Sequence, residues 1–374
     1  MPANPLEIPE LVERCICLLA DDENMSHWHR RLNLTSCALV ARSWVDAAQS
    51  WLFRAPHEIN VSWDENEVLL RFHRALQNSP HLTRHVRDLL INAYMDCSIT
   101  QTTLEKTSGI RTPSSSCSVS PTLRRVGINT LVDDLVFFGD VWKRCSPSIR
   151  HLELQIWFDL VYQPACDAPE PAVPIQLDSL QVAFSRSPFR NKHPAYEGPL
   201  DPEVVYPWAL HPFDLSNLKA LSIQDEMGVP WERFGKTVQV LDVYATAGER
   251  TIDLSSFPNL AVFRISRDWA ISPMMISTLS TITSSSSIRT ITIDLGYNDI
   301  YTGYNDLEEA ECPELDAVLS ALPMENPPTI EFEVTLESET HEMAKRCFPR
   351  LMERGMLHFV SASESFRQLV ERSN

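Results

Sequence analysis

The sequence predicts an α+β, multidomain chain, in which a short all-helical head precedes a long series of strand units stacked one on the next. Two observations predict it. Residues 5–54 carry apolar side chains at helical spacing, and from Val86 onward one short phrase, apolar-x-x-apolar-x-apolar, keeps returning. A third sets the scale: 374 residues exceed one minimal domain and suit two.

Three helices account for the head. Pro9 suits the first turn of the first helix, with Glu7, Glu10 and Glu13 near its positive end. Leu11, Val12, Cys15, Ile16 and Leu19 form its apolar stripe, and Asp21-Asp22-Glu23-Asn24 ends it. The second helix covers about residues 30–41, with Leu34, Cys37, Ala38 and Val40 apolar. Ser43 caps a third that carries Trp44, Val45, Ala48, Trp51 and Leu52. About fifty residues make a marginal core, yet Leu18, Leu39, Trp44 and Trp51 put apolar groups on more than one face. That surplus calls for cover by the following domain or by a partner.

Residues 64–77 predict a linking amphipathic helix with Val68, Leu69, Phe72 and Leu76 inward. The phrase then runs Val86-Leu89-Ile91, Leu123-Val126-Ile128, Ile149-Leu152-Leu154 and Leu177-Leu180-Val182. It continues through Leu218-Leu221-Ile223, Val238-Leu241-Val243, Leu260-Phe263-Ile265 and Ile288-Ile291-Ile293, with a degenerate ninth copy at Ile330-Phe332-Val334. The last two apolar positions of each copy alternate, as a short strand with one buried face requires. Several spacings between copies fall in the 20–29 residue range of leucine-rich repeats. The longer ones read as units with insertions, so the body resembles an irregular leucine-rich-repeat-like α/β solenoid. Helices fit at residues 130–144, 315–322 and 341–352, and residues 355–360 suit a last strand, the final turns capping the array. Residues 107–122 read as a Ser/Thr/Pro-rich loop, and 164–212 as a Pro-rich insertion with Tyr196, Tyr206 and Trp208.

The ten glycines never lie closer than seven positions, which excludes the glycine-rich phosphate loops and the nucleophile elbow. The net charge of −18 is uneven. Residues 290–344 hold fourteen acidic side chains and no Lys or Arg, while residues 1–150 are nearly balanced. Such a chain repels phosphate backbones, so no nucleic acid is expected as partner. The nine cysteines form no C-x-x-C pair, and no apolar run approaches membrane-spanning length. A reduced, intracellular protein without a membrane partner is expected, in the cytoplasm and/or nucleus.

The head also carries a resemblance. The string Ile8-Pro9-Glu10-Leu11-Val12, then Cys15-Ile16 and Leu18-Leu19, then Leu34-x-x-Cys37-Ala38-Leu39-Val40-Ala41-Arg42-Ser43-Trp44, then Trp51-Leu52-Phe53, resembles an F-box. More narrowly, it resembles the F-box-like heads of mushroom-forming fungal (basidiomycete) proteins. It departs from them in opening Glu7-Ile8-Pro9-Glu10 where the family has Leu-Pro-x-Glu, and in a longer connection from Leu19 to Leu34. The resemblance implies a non-catalytic substrate receptor of a ubiquitin ligase. The head would dock the Skp-type adaptor, and through it a cullin, while the body binds a protein substrate. The adaptor-binding set it implies is Pro9, Leu11, Ile16, Leu19, Leu34, Val40, Trp44 and Leu52, some in the core of the head and others toward the adaptor. Residues 1–56 would then be the F-box-like domain, 57–80 a linker helix and 81–374 the solenoid. The alternative is a leucine-rich-repeat-like protein-binding scaffold that no longer docks a ligase.

No catalytic, cofactor or metal set is expected. His27-x-His29 and the pair His81 and His85 lack a third ligand, and Cys15-x-Cys17 points its side chains apart on a helix. Asp133-Asp134 and Glu308-Glu309 read as solvated acids, and the acidic run 305–314 lacks the glycine of a calcium loop.

Overall fold

The computed structural model describes residues 8–20, 25, 27–54, 57–61, 78–93, 123–134, 147–162, 174–186, 210, 213–225, 235–245, 251–267, 273–294, 312–323, 327–334, 345–361 and 366–373. The protein is α+β, with an N-terminal three-helix unit and extensive parallel sheet. It packs as two compact units, residues 1–133 with 140–155, and residues 134–139 with 156–374.

In the first unit, α1 (Pro9–Ala20), α2 (His27–Val40) and α3 (Arg42–Arg54) pack together. Pro9 has no N–H to leave unpaired, and the Ile8 carbonyl accepts from Leu11 N and Val12 N, each at 3.1 Å. Only Ala41 separates α2 from α3, so Ser43 lies inside the first turn of α3 rather than capping it. Val12, Ile16, Ala20, Leu34, Cys37 and Ala48 form the core, with Leu19, Ala38, Trp44, Ala47, Trp51 and Leu52 packed around it. Two alanines and a cysteine among six core residues bury little apolar area, so these helices need support. Support comes from α3 lying against a 3-10 turn, Pro80–His85. Arg84 donates to Asp46 there, and His85 Nε2 lies 3.2 Å from the same carboxylate. Burial raises the Asp46 carboxyl, but Arg84 and then His85 outweigh it and hold it below the usual range.

The same unit holds β1 (His57–Val61), β2 (Asp88–Ala93), β3 (Arg125–Asp134) and the start of β4 (His151–Tyr162). β1 pairs in parallel with β2 and β2 with β3, placing Ile59, Ile91 and Ile128 in register. Two expectations are corrected. The segment 57–80, read as a linker helix, opens with a strand, while residues 62–77 lie outside the described residues. The helix expected from Thr130 does not start there, because β3 runs on to Asp134. Thr130 is still paired with Ala93, and the β-branched Ile128, Thr130 and Val132 suit extended backbone. Residues 135–146, like the loop expected at 107–122, lie outside the described residues.

In the second unit a two-residue pair, β5 (Ile175–Gln176) and β7 (Phe213–Asp214), sits beside a seven-stranded parallel sheet. Its strands are β6 (Ser179–Arg186), β8 (Ala220–Asp225), β9 (Val240–Ala245), β10 (Val262–Arg267), β11 (Thr290–Asp294), β12 (Thr329–Val334) and β13 (Leu357–Ser361), neighbours in that order. β5 and β6 thus occupy the described part of the insertion expected at 164–212. Every phrase read from the sequence ends in a strand. Register aligns Leu180, Leu221, Leu241, Phe263, Ile291, Ile330 and Leu357 across the sheet, followed by Val182, Ile223, Val243, Ile265, Ile293, Phe332 and Phe359. The ninth copy is therefore shifted: Ile330 matches the central apolar position, not the first.

A backbone ladder repeats with the phrase. The carbonyl following the first apolar residue accepts the two N–H groups that open the next strand. Asp178 O takes Lys219 N and Ala220 N, Lys219 O takes Gln239 N and Val240 N, and Gln239 O takes Ala261 N and Val262 N, all within 3.1 Å. Ala261 O continues the pattern with Arg289 N and Thr290 N. Thr237 adds a side-chain rung, its hydroxyl donating to Leu218 O at 2.8 Å, as Ser148 does to Leu123 O in the first unit. Each strand entry is tied to its neighbour, which keeps one register through connections of unequal length.

Helices α4 (Pro273–Leu279), α5 (Cys312–Ser320) and α6 (Pro349–Glu353) lie in the last three connections. The helix expected over 341–352 is interrupted at Phe348, where Pro349 restarts it, and residues 341–344 lie outside the described residues. Asp316 of α5 accepts from Arg350 N at 3.0 Å and Leu351 N at 3.1 Å, satisfying the first turn of α6. Phe348 stacks obliquely on Phe332 with centroids 4.5 Å apart, which places α6 on the apolar face of the sheet. The last helix, α7 (Phe366–Ser373), packs on the other face at β8 and β9. Phe366 and Leu369 bury Ala220 and Val240, the residues that alternate with the core positions Leu221 and Leu241. Among the described residues no helix is long and apolar enough to cross a membrane.

One packing contact yields a direct stability prediction. A Cβ on the buried Gly235 would stand 2.7–2.8 Å from the ring of Phe257, itself almost fully buried. Gly235→Ala is expected to destabilise the second unit by about 1–3 kcal/mol through overpacking. The check is a urea titration followed by circular dichroism; an unchanged midpoint would mean the ring has room to move.

Candidate functional site

The three helices carry more apolar surface than their core uses. On α1, Val12, Ile16 and Ala20 point inward, while Leu11, Cys15 and Leu18 form a second stripe in solvent. On α2, Leu34 and Cys37 point inward, while Leu32, Leu39 and Val40 are exposed. Leu39 is 83% exposed and Leu18 68%, values ordinarily seen for lysine rather than leucine. Thr35 and Ser36 bond back to the carbonyls of Arg31 and Leu32 at 2.8 and 2.9 Å, which lowers their demand for water on the same helix. Among the described residues six large hydrophobic side chains are exposed, and five of them belong to α1 and α2, the sixth being Met352.

The residues singled out in the sequence separate into two sets. Ile16 and Leu34 are core, with Leu19, Trp44 and Leu52 half-buried against it. Pro9, Leu11 and Val40 face solvent, where Leu18, Leu32 and Leu39 accompany them. The Cys37 thiol is raised by burial and further by nearby Cys15, so it packs as a small hydrophobe. His85 is engaged with Asp46, and burial holds its imidazole below the usual value.

A second feature, not read from the sequence, lies on the face of the second unit's sheet opposite its apolar core. The single residue between the last two apolar positions of each phrase points there. Register lines up Ser222, Asp242, Arg264, Thr292 and Glu331 in one row, with Ser266, Asp294 and Glu333 in the next. Ser222 Oγ donates to Asp242 at 2.9 Å and Thr292 Oγ1 to Glu331 at 3.2 Å. Arg264 is the centre: its guanidinium reaches Glu333 at 2.6 Å, Asp294 at 3.5 Å and Asp242 at 4.0 Å. Burial pushes the Glu333 carboxyl up to about 7 against the pull of Arg264, with Asp294 adding repulsion. Burial likewise raises Asp242, opposed by Arg264 and the Ser222 hydrogen bond.

A cavity of about 390 Å³ opens beside α5 and α6, lined by Cys312, Asp316, Arg346, Cys347 and Arg350. Its one carboxylate, Asp316, has both oxygens engaged by the α6 backbone. Among the described residues no group of three or more His, Cys, Asp or Glu is placed to hold a metal ion. Comparison with protein-family models finds no matching family, and comparison with curated proteins finds no matching relative.

Proposed function

We propose that this chain is the non-catalytic substrate-recognition subunit of a Skp–cullin–F-box type ubiquitin ligase. The observation that carries the reading is the outward apolar face of α1 and α2, with Leu11, Leu18, Leu32, Leu39 and Val40 exposed on a unit whose own core is thin. Such a face fits a protein partner that covers it, and the F-box-like string supplies the partner's class, a Skp-type adaptor. The body, read as an irregular leucine-rich-repeat-like solenoid, would hold the protein substrate. That reading is supported by the phrase-by-phrase register of its parallel strands and the repeated carbonyl ladder. Catalysis would be positional: holding a substrate beside a charged carrier enzyme raises the effective concentration of its lysines.

Co-expression of the full chain with a basidiomycete Skp-type adaptor tests the reading. A stable complex in size-exclusion chromatography is expected. A well-folded chain that elutes without the adaptor would overturn the docking role and leave a protein-binding scaffold.

A further inference from the structure

We propose that the cavity beside α5 and α6 is a binding site for an organic carboxylate, an acid group on a short apolar stem. Arg346 and Arg350 hold the acid, and two cysteines receive the stem. The site lies wholly in the second unit, and no part of it depends on adaptor docking.

Burial orders the lining by depth. Cys312, Asp316 and Cys347 are buried and form the floor, while Arg346, Pro349 and Arg350 are exposed and form the rim. α5 supplies Cys312 and Asp316, one turn apart on one helix face, and the segment 346–350 supplies the rest. The opening therefore lies between two packed elements, with a wet mouth and a dry base. Its volume, about 390 Å³, is at the small end of ordinary ligand sites.

Charge selects the ligand. Among the described residues, neither the Arg346 nor the Arg350 guanidinium has a hydrogen bond or an ion pair. Asp316, the one carboxylate in the lining, turns to the α6 backbone instead, accepting from Arg350 N at 3.0 Å and Leu351 N at 3.1 Å. Two positive charges and one negative leave the lining one unit positive, which matches a monocarboxylate better than a dianion. The charge is local, because residues 345–354 hold four basic side chains and one acidic, directly after the acid-rich stretch that ends at 344. A guanidinium grips a carboxylate through two parallel N–H···O bonds, a geometry that neutral groups do not match. The floor selects the stem. Cys312 and Cys347 are free thiols, and a buried free thiol packs as a small hydrophobe. An apolar stem reaching them leaves water as the acid is held at the rim. Such a carboxylate has two sources, a free acid or the C-terminus of a protein chain that ends in an apolar residue.

The test uses the full chain alone, with hydrocinnamate, a phenyl ring on a propionate, titrated by saturation-transfer NMR. Its neutral amide, acetate and phenyl phosphate are run beside it at matched ionic strength. The acid is expected to bind at least about tenfold more tightly than the amide, and also than acetate, which lacks the stem. Arg346→Gln and Arg350→Gln should each weaken it by about five- to tenfold. Both side chains are exposed and make no bond to the protein, so the fold is kept. Arg354→Gln removes an exposed cation of the same segment that lies outside the lining, and should change the affinity by no more than about twofold. N-acetyl-dialanyl-phenylalanine with a free C-terminus separates the sources. Binding tighter than hydrocinnamate assigns the site to chain ends, and weaker binding to free acids, the carboxylate site standing in either case. The proposal is overturned by equal affinity for acid and amide, by acetate matching hydrocinnamate, or by tighter binding of phenyl phosphate. An Arg354→Gln loss equal to that of Arg350→Gln, or no saturable binding in the millimolar range, would also overturn it.

Discussion

Leu18→Asp combined with Leu39→Asp is expected to abolish adaptor capture while leaving the thermal unfolding of the chain within about 2 °C of wild type. Both side chains are mostly in solvent, at 68% and 83% exposure, so neither substitution buries a charge in the free protein. In the proposed complex both would be covered, and each buried leucine contributes about 1.5–3 kcal/mol. Losing two, with carboxylates left in an apolar interface, corresponds to a fall in affinity of at least about a hundredfold. Leu34→Asp and Ile16→Asp would also abolish capture, but by unfolding the helices, since both side chains are core. Trp44→Ala, half-buried against that core, belongs with them and would lose both capture and stability. The informative result is loss of binding with an intact melt. Capture of the double variant at wild-type affinity would sink the docking role for this face.

The second large effect is on pH. The folded chain holds a proton on Glu333 up to about pH 7, whereas the unfolded chain releases it near 4.5. Between those values the folded state binds more protons. Stability from this group is therefore complete below pH 4.5 and is lost as pH rises to about 7, by roughly 3 kcal/mol over the window. Asp242 and Glu153, both raised by burial, add slopes of the same sign. Asp46, held low chiefly by Arg84 against its burial, adds stability at higher pH that acidification removes. Glu333→Gln isolates the contribution, because the amide keeps the shape and cannot titrate. Urea midpoints measured from pH 5 to 8 should fall more steeply for wild type than for the variant. Parallel curves would show that the Glu333 carboxyl titrates alike in the folded and unfolded chain.

Much of the architecture was legible in the sequence because it follows from local periodicity. Pro9 set where α1 starts, and the alternation in Leu241-Asp242-Val243 or Phe263-Arg264-Ile265 marked strands whose one face must be buried. Where local preference was divided, the neighbours decided. Leu131, Leu135, Phe138, Val141 and Trp142 stand at helical spacing from residue 130 on, yet Thr130 is paired with Ala93 and β3 runs to Asp134. The ninth phrase was off register because Ile330, Phe332 and Val334 alternate equally well from either starting point, and only pairing with Ile291 and Leu357 chose between them.

The sites show the same division. The sequence by itself determined that the head carries apolar residues on more than one face, and that each phrase of the body from Ile149 onward sets one polar residue between two apolar ones. It did not determine which leucines of the head are core. Leu11 and Val12 are neighbours in one apolar run, about 100° apart on α1, and only packing against the other helices sends Val12 inward and leaves Leu11 in water. Nor did it bring Arg264 to Glu333. These residues are 69 positions apart and two strands apart, on β10 and β12, and their contact exists because the parallel register brings those strands within reach of the long guanidinium side chain. Periodicity is a property of one segment, and so can be read along the chain. Burial and charge pairing belong to segments brought together, and only the tertiary structure decided them.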